Sequence, residues 1–178
     1  MTVAFKIEDF PDYVKVGKNL MWKPPICFGE WSLTFDKDSK GKVIYPLRQR
    51  EHNYNIILGD DVMLGSFVNI DRGSWRDTII GDGTKMDSFV HVAHNCQVGK
   101  DVQLIVKCCL LGSVTVGDRS YIGANSTIIQ RMRIGKDCFV EAGAIVNRSM
   151  PDNTRAKTWK TRIVGDRDFL YDGGRIIW

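Results

Sequence analysis

Residues 80–116 read IGDGTKMDSFVHVAHNCQVGKDVQLIVKCCLLGSVTV, and every sixth residue from Ile80 onward is aliphatic or Met: Ile80, Met86, Val92, Val98, Leu104, Leu110, Val116, Ile122, Ile128, Ile134, Val140 and Val146. An α-helix cannot produce this column, because six residues at 3.6 per turn carry a position almost to the opposite face. A second column, four residues on, is mostly small or branched: Thr84, Val90, Cys96, Val102, Cys108, Val114, Ser120, Ser126, Met132, Cys138, Ala144 and Met150. The two columns predict the walls of a narrow interior. Gly81, Gly99, Gly117 and Gly135 recur every eighteen residues, which groups three hexads into one coil with three flat sides. The corners are expected to be tight turns in which Gly, Asp and Asn supply φ > 0. Successive coils would stack as parallel strands about 4.8 Å apart, so residues eighteen apart become neighbours along the axis.

The same phase holds at Leu58, Leu64 and Ile70 and at Val16, Trp22 and Phe28, so the coils are expected to begin near Phe10. The fold predicted is a parallel β-helix in a single domain: a lead-in at 1–12, the β-helix over 13–150, and a C-terminal extension at 151–178. Two stretches break the period, residues 29–57 and the four extra residues between Ile70 and Ile80, and both are expected to be loops that leave the prism and return. The usual hand of parallel crossovers would favour right-handed coiling, and periodicity alone does not speak against it.

The chain of 178 residues is 43% hydrophobic and 26% charged, which excludes disordered and collagen-like chains. Lys and Arg exceed Asp and Glu by 25 to 21 and are scattered, which suits a phosphate-bearing ligand without demanding nucleic acid. The cysteines Cys27, Cys96, Cys108, Cys109 and Cys138 are odd in number and lack CxxC spacing, so neither a disulfide framework nor a zinc site is expected, and reduced thiols in the cytoplasm fit best. The N-terminal MTVAFKIEDF carries Lys6, Glu8 and Asp9 where a signal peptide needs an apolar run, and no membrane insertion is expected.

Residues 68–103, VNIDRGSWRDTIIGDGTKMDSFVHVAHNCQVGKDVQ, resemble the central coils of the UDP-3-O-acylglucosamine N-acyltransferases of lipid A synthesis, sharing IDRG, DTIIGDG and VAHN followed by VGKD in order and spacing. The resemblance covers about residues 15–150. It implies left-handed coiling, a homotrimer and active sites between subunits. It also implies that His94, in the AHN motif, is the catalytic base. Read from the residues alone, His94 follows the inward Val92 by two positions and so stands on a corner, where an imidazole can accept a proton near neutral pH or be a plain solvated side chain. Gly112, eighteen residues on, falls beside it, and the resemblance gives its amide the developing oxyanion; the bare alternative is a corner glycine.

The pattern departs at Arg131, where the family has a second His; Arg cannot be a base, but it can offer charge to a carbonyl, phosphate or carboxylate. Asp71 and Arg72 belong to the shared IDRG, and Asp87 and His91 are expected near enough to orient His94, although salt-bridged or polar surface is the plainer reading of each. With about a dozen residues before the coils, no counterpart of the family's N-terminal uracil-stacking domain is expected, and its uridine recognition is not carried over. What remains is similar to the smaller sugar N-acetyltransferases, in which a P-A-K-like loop lies near the cofactor. RAKTWKTR at 155–162 takes that place, so Lys157, Lys160 and Arg162 are candidate contacts for coenzyme A phosphates, against the alternative of a solvated basic tail.

The function expected is transfer of an acyl group, acetyl in the leading version, from a phosphopantetheine thioester such as acetyl-CoA to the amine of a nucleotide-linked amino sugar. No metal is invoked. A long-chain transfer from acyl carrier protein, a metal hydratase needing three convergent histidines, and a non-catalytic structural β-helix are the alternatives.

Overall fold

The structure is a computed structural model that describes residues 10–29, 31–37, 39–40 and 43–158 and two short strands at 171–172 and 175–176. Three parallel sheets form the faces of a prism. Face A stacks six strands, from Val14–Val16 through Ile56–Leu58, Thr78–Ile80, Gln97–Val98 and Thr115–Val116 to Arg133–Ile134. Face B stacks seven, from Met21–Trp22 to Arg155–Ala156, and face C six, from Cys27–Gly29 to Ile145–Val146. Register follows the predicted winding: Val98 pairs with Val116, Leu104 with Ile122 and Val92 with Leu110. Pairing of Val140 with Ala156 carries the sheet past Met150, into the segment read from sequence as an extension.

Both inward columns fill the interior. Ile80, Val92, Leu104, Leu110, Ile122, Ile128 and Val140 are fully buried, as are Val90, Val102, Cys108 and Val114 from the second column. Polar members of that column bond to the coil walls. Thr84 Oγ1 donates to the Gly99 carbonyl at 2.9 Å, and Ser120 Oγ donates to the Gly135 carbonyl at 2.8 Å while accepting the Cys138 N–H at 3.0 Å. Each hydroxyl thereby avoids the penalty of an unpaired buried group.

The recurring glycines serve a purpose other than the one expected. A β-carbon on Gly81 would stand 2.5 Å from the Gly99 carbonyl oxygen, and one on Gly117 would meet the Gly135 backbone at 2.6 Å, so close stacking of coils excludes a side chain there. Left-handed φ is found further along each corner, at Asp61, Gly83, Asp101, Arg119 and Asp137 between faces A and B, and at Phe67, Phe89, Lys107, Asn125 and Gly143 between faces B and C.

The two breaks in the period both leave the prism at one edge, between faces C and A. The first is not a loop: Trp31–Lys37 and Val43–Glu51 pair as an antiparallel hairpin with a register shift between Thr34 and Asp36. Its nine-residue return strand, VIYPLRQRE, has no hexad spacing, and its pairing is with its own partner strand. The second break runs between the strands Asn69–Asp71 and Thr78–Ile80. Everything irregular in the described coils is thus collected on a single corner.

Candidate active site

That corner carries His94. Its backbone is fixed by the register of His91 and Val92 with Cys109 and Leu110 on face C, and its carbonyl accepts the Ser113 N–H at 2.8 Å. Asn95, Ser113 and Arg131 follow one another along the corner with φ of 63°, 64° and 66°, each turning the chain from face C to face A.

Gly112 lies against the imidazole. A β-carbon on Gly112 would stand 2.7 Å from His94 Cε1 and 2.8 Å from Nε2, so the ring occupies the space that a side chain at 112 would need. Among the described residues the Gly112 N–H donates to no backbone carbonyl, whereas its own carbonyl accepts the Arg131 N–H at 3.0 Å. On the other side of His94 the insertion wraps a fully buried Asn95. Asn95 Oδ1 accepts the N–H groups of Ser74, Trp75 and Arg76, its Nδ2 reaches Ser74 Oγ at 3.0 Å and His94 Nδ1 at 2.6 Å, and its N–H donates to Thr78 Oγ1. Arg76 closes the wrap by donating from Nε to the Asn95 carbonyl at 3.0 Å, with its guanidinium 4.6 Å from the ring centre of the exposed Trp75. His52, 1% exposed at the root of the hairpin, sets its ring edge-on to His94 with centroids 5.1 Å apart.

The other residues singled out in the sequence are distributed differently. Arg72 is in register with His94, but its side chain is engaged elsewhere: Nε donates to the Tyr54 carbonyl at 2.7 Å and the guanidinium covers the Tyr13 ring at 4.0 Å, so it ties the first coil to the insertion. Asp71 and His91 share the outer side of face C with Asn69. Asn69 Nδ2 bonds Asp71 Oδ1 at 3.1 Å and His91 Nδ1 at 2.8 Å, and His91 Nε2 lies 3.9 Å from Asp71 Oδ2. Asp87 stands across face C on the B/C corner, where it accepts the Ser88 N–H at 2.7 Å and lines a groove of about 420 Å³ with Met21, Met63 and Ile105. It is therefore away from the imidazole it was expected to orient, because the six residues between them cross from the B/C corner over the whole of face C. Arg131 is exposed on the same edge as His94, one position past Gln130, the residue eighteen beyond Gly112. Lys157 is exposed at the C-terminal end, beside Ile145–Met150, three coils along the axis from His94; Lys160 and Arg162 lie outside the described residues.

Asn95, Ser74, Arg76 and His52 were not picked out from the sequence. The one signal for the first three was the extra length before Thr78; for His52 there was none, since the return of a 22-residue excursion to a given corner is set by topology. Among the described residues no group of three His, Cys, Asp or Glu side chains converges as a metal site. No helix among them is long and apolar enough to cross a membrane.

A prism of hexapeptide coils with one corner built around His and Gly defines the class: the chain is a hexapeptide-repeat β-helix protein. No protein-family profile matches it. It is 31% identical over 140 residues to the UDP-3-O-acylglucosamine N-acyltransferase of Methylorubrum extorquens, a match that takes in 79% of this chain and 38% of that protein. A crystal structure of a UDP-N-acetylglucosamine acyltransferase superposes with a TM-score of 0.64 at 29% identity, over 78% of this chain and 50% of the other. GDP-perosamine N-acetyl transferase from Caulobacter crescentus, seen with CoA and GDP-perosamine, shares the fold with a TM-score of 0.53 at 24% identity, over 85% and 58% of the two chains. The chain belongs with these hexapeptide-repeat acyltransferases and spans well under half the length of its curated relative. The left-handed β-helix of that group overrides the crossover rule, whose handedness argument concerns helix-linked strands packed on one twisted sheet rather than short turns at prism corners.

Proposed function

We propose that the chain transfers an acyl group from a phosphopantetheine thioester, acetyl-CoA in the first instance, to the amine of a nucleotide-linked amino sugar, with the chemistry centred on His94 and Gly112. The observation that carries this reading is the packing of the imidazole directly on Gly112, at the corner where the hairpin and the insertion converge. An acyl transfer needs a donor for the oxygen that becomes negative as the amine adds, and the Gly112 amide is such a donor; one preorganised donor typically contributes about 3 kcal/mol to lowering the barrier. It also needs a fate for the amine proton, and a histidine at the reacting end is the residue type suited to proton work near neutral pH. The named activities of the relatives support the class of reaction, and the Caulobacter crescentus complex supports CoA and a nucleotide-linked amino sugar as the pair of ligands.

Acetyl-CoA and a panel of nucleotide-linked amino sugars are incubated with the protein, and the release of free CoA thiol is followed. Wild type is expected to release thiol with at least one acceptor, and His94→Ala to lose this while keeping its melting temperature. Release by neither protein, with a melting shift from long-chain acyl carrier protein alone, would replace acetyl-CoA by that donor; a His94→Ala variant as active as wild type would leave a structural β-helix. A shared inter-subunit site further requires a homotrimer, with light scattering giving about three times the 20.2 kDa of one chain.

A further inference from the structure

The insertion beside His94 carries side chains that the fold itself does not use. Its backbone is pinned by the buried Asn95, whose Oδ1 accepts the N–H groups of Ser74, Trp75 and Arg76 at 2.9, 3.2 and 3.4 Å. At residue 75 this wrap draws only on the main chain, so any residue type other than proline would complete it. The residue present is nevertheless a tryptophan, and it is 54% exposed. A fixed backbone thus holds a large aromatic ring in water on the edge that carries His94. Counted through the Asn95 amide, Trp75 N and His94 Nδ1 are no more than about 8 Å apart.

Arg76 adds charge to the ring. Its guanidinium lies 4.6 Å from the centre of the Trp75 indole, and its Nε donates to the Asn95 carbonyl at 3.0 Å. The two carboxylates that bracket the insertion are engaged elsewhere. Asp77 Oδ1 accepts the Asn55 N–H at 2.8 Å and lies 3.3 Å from Asn55 Nδ2, while Asp71 Oδ1 is held by Asn69 and Oδ2 lies 3.9 Å from His91 Nε2. Among the described residues Arg76 makes no ion pair. Arg72, in the same insertion, shows the contrast, since its guanidinium is spent on the Tyr54 carbonyl and the Tyr13 ring.

We propose that Trp75 and Arg76 form a subsite for a nucleoside diphosphate, the indole stacking on its base and the guanidinium bonding its phosphates. Aromatic rings stack on any base because every base has a flat π-face, and a guanidinium matches phosphate oxygens in geometry as well as charge. A carboxylate ligand would use the charge alone, and a neutral sugar the ring alone; a nucleotide uses both. The proposal rests on the acyl transfer put forward above and says where its nucleotide-bearing reactant is held, with the reacting end toward His94 and Gly112. The same chemistry is present in a nucleotide-linked sugar and in the adenosine end of CoA, and the two sources are separated by experiment.

The test is calorimetric titration of the native protein with UDP, GDP and CoA, each added alone so that binding is read without turnover. At least one is expected to bind. For that ligand Trp75→Phe should stay within about threefold of wild type, whereas Trp75→Leu, which keeps an apolar side chain without a ring, should bind about tenfold or more weakly. Both variants are expected to keep the wild-type melting temperature, because the wrap uses only the N–H of residue 75. The loss falls on UDP or GDP if the subsite serves the acceptor and on CoA if it serves the donor. The parent nucleoside is expected to bind at least about tenfold more weakly than its diphosphate, whose own binding should weaken as salt rises. Equal affinity of Trp75→Leu and wild type for all three ligands overturns the proposal, as does equal affinity for nucleoside and diphosphate, or no binding by wild type. A protein that binds a nucleotide in this way yet releases no thiol would instead sink the proposed reaction and leave the subsite standing.

Discussion

The imidazole of His94 stands where a β-carbon on Gly112 would have to be, with 2.7 Å from that position to Cε1 and 2.8 Å to Nε2. Glycine at 112 is therefore first a seat for the ring and only then an opening for a substrate carbonyl. Ala at this position would push the ring outward by the few tenths of an ångström to an ångström needed for contact. A displacement of that size at a reacting centre can cost about 100-fold in rate. Gly112→Ala is expected to lower kcat/KM by about that factor with a melting temperature within about 4 °C of wild type, checked by thiol release and calorimetry. Activity near the wild-type level would show that the stacked pair has no part in turnover.

A second prediction concerns the interior. Ser120, 1% exposed, donates from Oγ to the Gly135 carbonyl and accepts from the Cys138 N–H, so it joins two coils through one atom. Replacement by Ala strands a carbonyl and an amide in a dry wall, and an unsatisfied buried group costs about 1–3 kcal/mol. Urea unfolding of Ser120→Ala is expected to show a loss in that range with an unchanged m-value. No loss would mean that water reaches the wall.

Acid sensitivity follows from two carboxylates on the A/B corner, each capping an N–H of the preceding coil: Asp82 accepts from Asp60 and Asp118 from Lys100. The pKa of Asp118 is lowered first by the Lys100 backbone amide and then by the Lys136 side chain, and that of Asp82 first by the Lys100 side chain and then by the Asp60 amide. A carboxylate whose folded pKa is depressed stabilises the fold fully above its unfolded pKa, near 3.8, and loses that contribution as pH falls through the lower folded value. Melting temperature is expected to be level with respect to these groups from pH 7 to about 5 and to drop below about 4. In Asp118→Asn the drop should be shallower, because one of the groups that must be protonated is gone; an identical acid limb would remove Asp118 from the account.

The prism was legible because the first of its two inward columns admits no exceptions. Every sixth residue from Ile80 to Val146 must be apolar when each strand contributes two or three residues and one of them always points inward, so periodicity alone gave the register that places Gly112 against His94. The hairpin at 31–51 was not legible by the same token: it pairs with itself and owes nothing to the six-residue period. Asp87 was placed beside His94 on nearness in sequence, yet in this fold six residues cross a face and eighteen return to the same spot. Arg72 is another case, since it lies in register with His94 while its side chain turns toward Tyr13 and the Tyr54 carbonyl, a contact that no spacing announces. Asn95 escaped notice because a single buried amide has no period; its importance comes from the extra residues that fold back to bond it.

The cysteines give a final check on how tightly the coils close. Cys96 and Cys108 point inward, and burial pushes each thiol up to about 12, while Cys109, half-buried on the outside of face C, is raised by burial as well, with Asp71 adding to the effect. A thiol with a pKa near 12 is ionised to about one part in ten thousand at pH 8, and only the thiolate attacks a disulfide reagent. Cys27, at the open first coil, is exposed. Titration of the native protein with a chromogenic disulfide at pH 8 is expected to consume Cys27 quickly and Cys109 slowly, with Cys96, Cys108 and the buried Cys138 reacting only when urea unfolds the chain. Cys96 lies one residue past Asn95, in the wall beneath the site, so its fast reaction in the native state would mean that the coil supporting His94 opens on its own.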